Sequence, residues 1–253
     1  MDNTSRTVNK AIDILEIFLQ KDGGLSLTEI SKATKLNTAT VYRLISTLAK
    51  RGYLSQYHKK GTYSIGMKML DFNYAIRRNL KFIDFAYLSL SKLSKELNVS
   101  SFIAVYDADM MLIVEELGVS GELRINSPVG KRLPLYCTAC GKVLLAALSE
   151  EERKAYYGRI ALQAFTPSSI TDIPKLEKEL ARIQKEGLAY HKEEYRQGVW
   201  VAAAPIYNSS EKVIAAAAII VPISYLGAES VQKYTTAIKG CTGEISQIIS
   251  RIS

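Results

Sequence analysis

Residues 26–48, SLTEISKATKLNTATVYRLISTL, constrain the fold of this chain more than any other stretch, because they encode two short helices, their start signals and the turn between them. Ser26 stands three residues before Glu29, the spacing at which a hydroxyl and a carboxylate cap each other's backbone amides. Asn37 is placed to cap the second helix. Within that helix Val41, Leu44, Ile45 and Leu48 recur at helical spacing and face a core, which turns Thr38, Ala39, Thr40, Tyr42, Arg43 and Thr47 outward. Such a face suits a DNA major groove: small side chains permit close approach, and the guanidinium reaches a base edge or a phosphate.

The flanking residues complete a module around this pair. A helix is predicted over 7–20, with Val8, Ala11, Ile12, Leu15, Phe18 and Leu19 as its apolar stripe, and Gly23-Gly24 closes the segment. Gly52 stops the second helix of the pair, and 53–57 and 62–65 read as strands around a turn at 58–61. Three helices and a hairpin make a winged helix, with Lys59 and Lys60 at the wing tip as phosphate contacts that position without specifying. Charge agrees with this division. Residues 1–65 hold ten Lys/Arg against five Asp/Glu, whereas 66–253 hold 23 against 20, so most of the net +8 sits in the first quarter.

The remaining residues predict an α+β domain. A linker helix is read over 66–82 and a second helix over 83–98; strands follow at 101–107, 110–117 and 123–127, then helices at 138–148, 150–157 and 173–186. Asp172 and Pro174 give the last of these a regular start. Strands at 199–207 and 213–222 flank the turn 208–211, and a final helix covers 228–252. Strands with helices packed outside them indicate an antiparallel or mixed sheet. The domains are therefore 1–65, 66–82 and 83–253. No apolar run is long enough to span a bilayer, nothing at the N-terminus marks secretion, and three cysteines suit a reducing cytoplasm better than a disulfide framework.

Several motifs together resemble the IclR-type bacterial transcriptional regulators. They are Leu27-Thr-Glu-Ile-Ser-Lys-Ala-Thr34, Ala39-Thr-Val-Tyr-Arg-Leu-Ile-Ser-Thr-Leu48 and Arg51-Gly-Tyr-Leu54, then Leu133-Pro-Leu-Tyr-Cys-Thr-Ala-Cys-Gly-Lys142 and Gly187-Leu-Ala-Tyr-His-Lys-Glu-Glu-Tyr-Arg-Gln-Gly-Val199, continuing to Ala204-Pro-Ile-Tyr-Asn208. The resemblance implies an N-terminal winged helix-turn-helix, a linker helix used in dimerisation, and a GAF-like α/β domain that binds a small effector, usually an organic or aromatic acid. It implies homodimers or homotetramers on a roughly palindromic operator. It places the effector over the sheet, with Ala139, Cys140 and Gly141 as backbone contacts and Leu133, His191, Val199 and Val201 as further members of the site. Exposed amides at a helix N-terminus suit an anion there. The chain departs from the family pattern at His191 (usually acidic), Val201 (often cysteine) and Tyr136 (usually histidine), so its pocket offers an imidazole, an aliphatic wall and a phenol.

Other readings compete at single positions. Cys137-Thr-Ala-Cys140 is a CxxC at a helix start, where thiol pKa values fall, so a redox-sensing regulator is the main alternative; small apolar lining is the plain one. His191 reads either as a surface residue on a strand or as a hydrogen-bonding or charge-pairing partner for a carboxylate. Glu193 and Glu194, adjacent on extended chain, point to opposite faces and so support structure or salt bridges near Arg196. A metabolic enzyme is disfavoured, because glycine-rich phosphate loops, HExxH and Ser-His-Asp patterns are all missing. No metal, cofactor or membrane partner is expected.

Overall fold

A computed structural model describes residues 4–21, 23–57, 61–118, 125, 127–227 and 230–252. The chain divides into two compact units, Met1–Leu80 and Lys81–Ser253.

In the first unit the local signals act as their spacing predicts. Helix α1 (Arg6–Glu16) runs into a 3-10 turn (Ile17–Leu19), and strand β1 (Leu25–Ser26) leads into α2 (Leu27–Thr34) and α3 (Thr38–Lys50). Ser26 and Glu29 form a complete capping box, the Glu29 N–H donating to the Ser26 hydroxyl and the Ser26 N–H to the Glu29 carboxylate. The Asn37 side chain accepts from the Thr40 N–H at 2.8 Å. Past α3, Gly52 adopts φ +79°, a left-handed conformation that costs glycine little. Strands β2 (Leu54–Tyr57) and β3 (Thr62–Ile65) pair antiparallel, β1 adds to the far edge of β3, and α4 (Lys68–Asn79) follows.

The stripe predicted for the first helix needs correction. Val8 and Ile12 are exposed, and so is Leu19 at 79%, whereas Ile14, outside that stripe, is fully buried beside Phe18. The tighter 3-10 turn changes the phase after Glu16, turning Phe18 inward and Leu19 out. Apolar residues also cover more of α1 than this core can bury. That core comprises Ile14, Phe18, Leu25, Ile30, Val41, Ile45, Leu54 and Tyr63.

The second unit opens with α5 (Phe82–Leu97), strands β4 (Ser100–Asp107), β5 (Met110–Leu117) and β6 (Arg132–Pro134), and helices α6 (Ala139–Ala146), α7 (Glu150–Arg159) and α8 (Ile173–Glu186). It continues through β7 (Ala189–Lys192), β8 (Val199–Tyr207) and β9 (Val213–Pro222) to α9 (Ser230–Ile252). The six strands form one sheet, β6-β5-β4-β9-β8-β7, antiparallel at every pairing. Side chains alternate along each strand, so Val199, Val201 and Ala203 join the core cluster of α6 and α8, while Trp200 stacks on Tyr234 of α9. The buried alanines Ala202–Ala204 and Ala215–Ala218 allow helices to approach both faces. The strand expected at 123–127 lies mostly outside the described residues; Ile125 and Ser127 belong to no strand, and β6 was not foreseen.

Candidate functional site

The outer face of α3 is arranged as its periodicity predicts. Thr38, Ala39, Tyr42, Arg43 and Thr47 are exposed and Thr40 is half-buried. Tyr42 is 57% exposed and so free to meet a partner. The Thr47 hydroxyl donates to the Arg43 carbonyl at 3.0 Å, which occupies it with its own helix. The Glu29 carboxylate is held in the capping box, and among the described residues Arg43 has no ion pair. Lys59 and Lys60, expected at the wing tip, lie outside the described residues.

The second unit holds a pocket of about 490 Å³, counting its open side, between the sheet and the start of α6. Of the expected effector residues, Leu133, Ala139, His191, Val199 and Val201 line it. Phe102, Met111, Ile125 and Ile220 extend the apolar wall, and Ser127, Thr138, Lys131, Tyr195 and Arg196 add polar groups. Its mixed apolar and polar lining suits a small molecule. Lys131 and Arg196 are exposed cations without ion pairs among the described residues.

His191 is a buried member of β7, 3% exposed, rather than a surface residue. Its Nε2 accepts the Tyr195 N–H at 2.9 Å, and its Nδ1 has no hydrogen-bond partner among the described residues. Burial, helped by the Lys142 ammonium, lowers its pKa from 6.5 to about 4. At neutral pH the imidazole is therefore uncharged, and with Nε2 accepting, the proton resides on Nδ1. His191 thus lines the pocket with one buried ring nitrogen that has no side-chain or backbone partner at hydrogen-bonding geometry among the described residues. In the absence of a ligand this imidazole can offer a hydrogen bond and carries no charge of its own.

The loop 193–198, which carries Tyr195 and Arg196, is fastened from four directions. Gly198 N–H donates to the Glu193 carboxylate at 2.6 Å, the hydroxyls of Thr166 and Ser169 donate to the carbonyls of Glu193 and Glu194, each at 2.6 Å, and Tyr195 N–H is held by His191. Beneath it Lys142, 1% exposed, donates to both Glu194 carboxylate oxygens at 2.7 and 2.8 Å, with Glu179 Oε1 3.7 Å away. Burial pushes the Glu194 carboxyl up, and the ammonium acts against it. This corrects the expected pairing of Glu194 near Arg196: the partner is Lys142. A lone lysine inside the otherwise apolar helix 139–146 was the available signal, since a buried cation demands a counter-charge.

Three other expectations change. Cys140 and Gly141 are buried but are not among the pocket's lining residues. The Cys140 thiol contacts the Ala216 carbonyl at 3.7 Å, and a Cβ on Gly141 would lie 2.3 Å from the Leu135 carbonyl, so glycine here permits close packing. The Tyr136 phenol does not reach the pocket; it donates to the Gln163 carbonyl at 2.8 Å and accepts the Gln163 N–H at 2.9 Å. Burial gives the thiol-switch reading no support: it pushes the Cys137 thiol up to about 12 and raises that of Cys140 as well, which disfavours the thiolate that redox chemistry requires. Among the described residues no three His, Cys, Asp or Glu side chains converge as a metal site, and no helix is long and apolar enough to cross a membrane.

The model of the C-terminal domain of bacterial IclR transcriptional regulators matches residues 75–247, and the IclR helix-turn-helix model matches 7–57. The chain belongs to the IclR family. It is a DNA-binding transcriptional regulator of that family. Among IclR relatives, the HTH-type transcriptional regulator XynR of Escherichia coli K12 is 31% identical over 83% of this chain and 84% of its own length. KdgR of the same organism is 27% identical over 95% and 91%. The IclR crystal structure from Thermotoga maritima superposes with a TM-score of 0.82 at 25% identity, covering 96% of this chain and 98% of that one. An IclR homologue from Microbacterium hydrocarbonoxydans, crystallised with 4-hydroxybenzoate, shares the fold with a TM-score of 0.87 at 19% identity, covering 98% and 100%.

Proposed function

We propose that α3 reads a roughly palindromic operator with Thr38, Ala39, Thr40, Tyr42, Arg43 and Thr47, while the sheet pocket binds a small organic or aromatic acid that governs when it does so. The observation that carries the pocket reading is the buried Nδ1 of His191, without a partner among the described residues, in a lining that also holds two unpaired cations. An anionic ligand takes the imidazole N–H as a neutral hydrogen bond and Lys131 or Arg196 as its charge partner, with Leu133, Val199 and Val201 against its apolar body. Ala139, at the first turn of α6, adds a backbone amide.

The protein acts in the cytoplasm as a homodimer or homotetramer and catalyses no reaction. Exposed Met67 and the exposed Leu70, Phe72, Tyr74 and Ile76 of α4 support pairing of copies through the linker segment. Paired recognition helices then enter successive major grooves about 34 Å apart. Lys59 and Lys60 hold phosphates, and removing either lowers the salt dependence of binding by about one contact. The ligand acts by favouring one arrangement of the operator-binding units, which requires unequal affinity for the two.

The test is a thermal-shift series on the full chain with benzoate, 4-hydroxybenzoate and short aliphatic hydroxy and keto acids. Stabilisation by at least one acid, lost in His191→Ala while operator binding is retained, supports the reading. An unimpaired response in His191→Ala removes His191 from the site.

A further inference from the structure

Beside Arg43, the groove between α1 and α3 collects two cations that the reading face does not account for, Lys10 and Arg51. It is lined by Thr7 and Lys10 from α1, by Thr40, Arg43 and Thr47 of α3, and by Arg51 just beyond α3, together with apolar side chains and no acidic residue. Among the described residues Lys10, Arg43 and Arg51 form no ion pair. A protein surface ordinarily intersperses charges of both signs, so three unpaired cations and three hydroxyls facing one groove mark a seat for a polyanion.

Helical phase divides the α3 face already described, and three of its six residues, Thr40, Arg43 and Thr47, also line this groove. Thr38, Ala39 and Tyr42 lie to one side of Arg43, and Thr40, Thr47 and Arg51 lie to the other, so Arg43 stands at the border of both. The eight-residue step from Arg43 to Arg51 covers about 12 Å at 1.5 Å per residue.

We propose that the α1–α3 groove holds the DNA sugar-phosphate backbone, with Lys10 and Arg51 as contacts in addition to Arg43. The proposal rests on the reading of the first unit as the DNA-binding one, and it adds α1, which that reading leaves without a role. Lys10 and Arg51 would fix the register of α3 in the major groove without selecting sequence.

The experiment uses the full-length protein and a 30-base-pair duplex of mixed sequence, with affinity followed by fluorescence anisotropy between roughly 50 and 300 mM KCl. The double variant K10A/R51A is expected to lose about 1.8 from the slope of log affinity against log salt, since each phosphate contact contributes about 0.9. The control K175A/K178A removes two exposed cations from α8 and is expected to leave the slope unchanged. A K10A/R51A slope equal to the wild type overturns the proposal, as does an equal loss in both double variants, which would show a net-charge effect. A changed sedimentation coefficient with an unchanged slope assigns the groove to contact between copies and also overturns it. Wild-type protein with no affinity for the duplex overturns the DNA-binding reading together with this one, a result distinct from the others. Far-UV circular dichroism of both variants confirms that they fold.

Discussion

The α3 face and the sheet pocket place their functional groups in opposite environments. The six α3 residues fall within ten positions of one helix, and all but the half-buried Thr40 are exposed. The pocket takes its lining from β4, β5, β6, α6, β7, β8 and β9 and from loop residues, and His191 and the nearby pair Lys142–Glu194 are buried. An exposed group can be replaced at small cost to folding, because water satisfies whatever it leaves behind. A buried polar group cannot, since its partner is then stranded in low dielectric. Substitutions on α3 should therefore alter binding and spare stability, whereas those around the pocket should alter both.

The severest challenge to this contrast is Lys142→Ala, which leaves the Glu194 carboxylate buried without its cation. It is expected to lower the free energy of unfolding by about 3–5 kcal/mol, read by urea denaturation. A loss below 1 kcal/mol would place this pair among the solvated ones and erase the distinction.

Next in size is a pH effect from His191. The unfolded imidazole takes up a proton near 6.5 but the folded one only near 4, so the unfolded state binds more protons between those values. Stability is unaffected by this group above about pH 6.5 and falls as the pH drops towards 4, by about 3 kcal/mol in all. His191→Gln should flatten that part of the pH profile in thermal melts.

Arg43→Ala is the counterpart on the exposed side. It is expected to weaken operator binding by about 1–3 kcal/mol if the guanidinium reads a base, with a melting temperature close to wild type. Equal affinity would show that the outer face of α3 is misassigned. Asn37→Ala gives the smallest effect and tests whether the reading helix has any stability requirement of its own. Loss of the cap to Thr40 N–H should cost about 1 kcal/mol in denaturation and leave the residual affinity specific.

The legibility of the two regions follows the same contrast. The capping box at Ser26 and Glu29, the Asn37 cap, the Asp172 start of α8 and the long strands at 199–207 and 213–222 were readable because each depends on neighbours within a few residues. The stripe on α1 was misread because which apolar residues of a helix are covered depends on what packs against it. Of the residues named from the motifs, Leu133, Ala139, His191, Val199 and Val201 line the pocket, but spacing could not reveal that Cys140 and Gly141 fall outside its lining or that the Tyr136 hydroxyl is engaged by Gln163. Arg196 and Lys131 were missed as lining because their place depends on where two loops cross the sheet.

The sequence by itself determined the helix pair and its caps, the side of α3 that meets solvent, and the division of charge between the two parts of the chain, all properties of local periodicity and composition. Only the tertiary structure decided the state of the polar groups in the second unit. Lys142 and Glu194, 52 positions apart, close into an ion pair, and His191 becomes a neutral donor with one nitrogen occupied by Tyr195. Protonation and pairing depend on burial and on partners brought together across the sheet, and neither is a property of the residues' order along the chain.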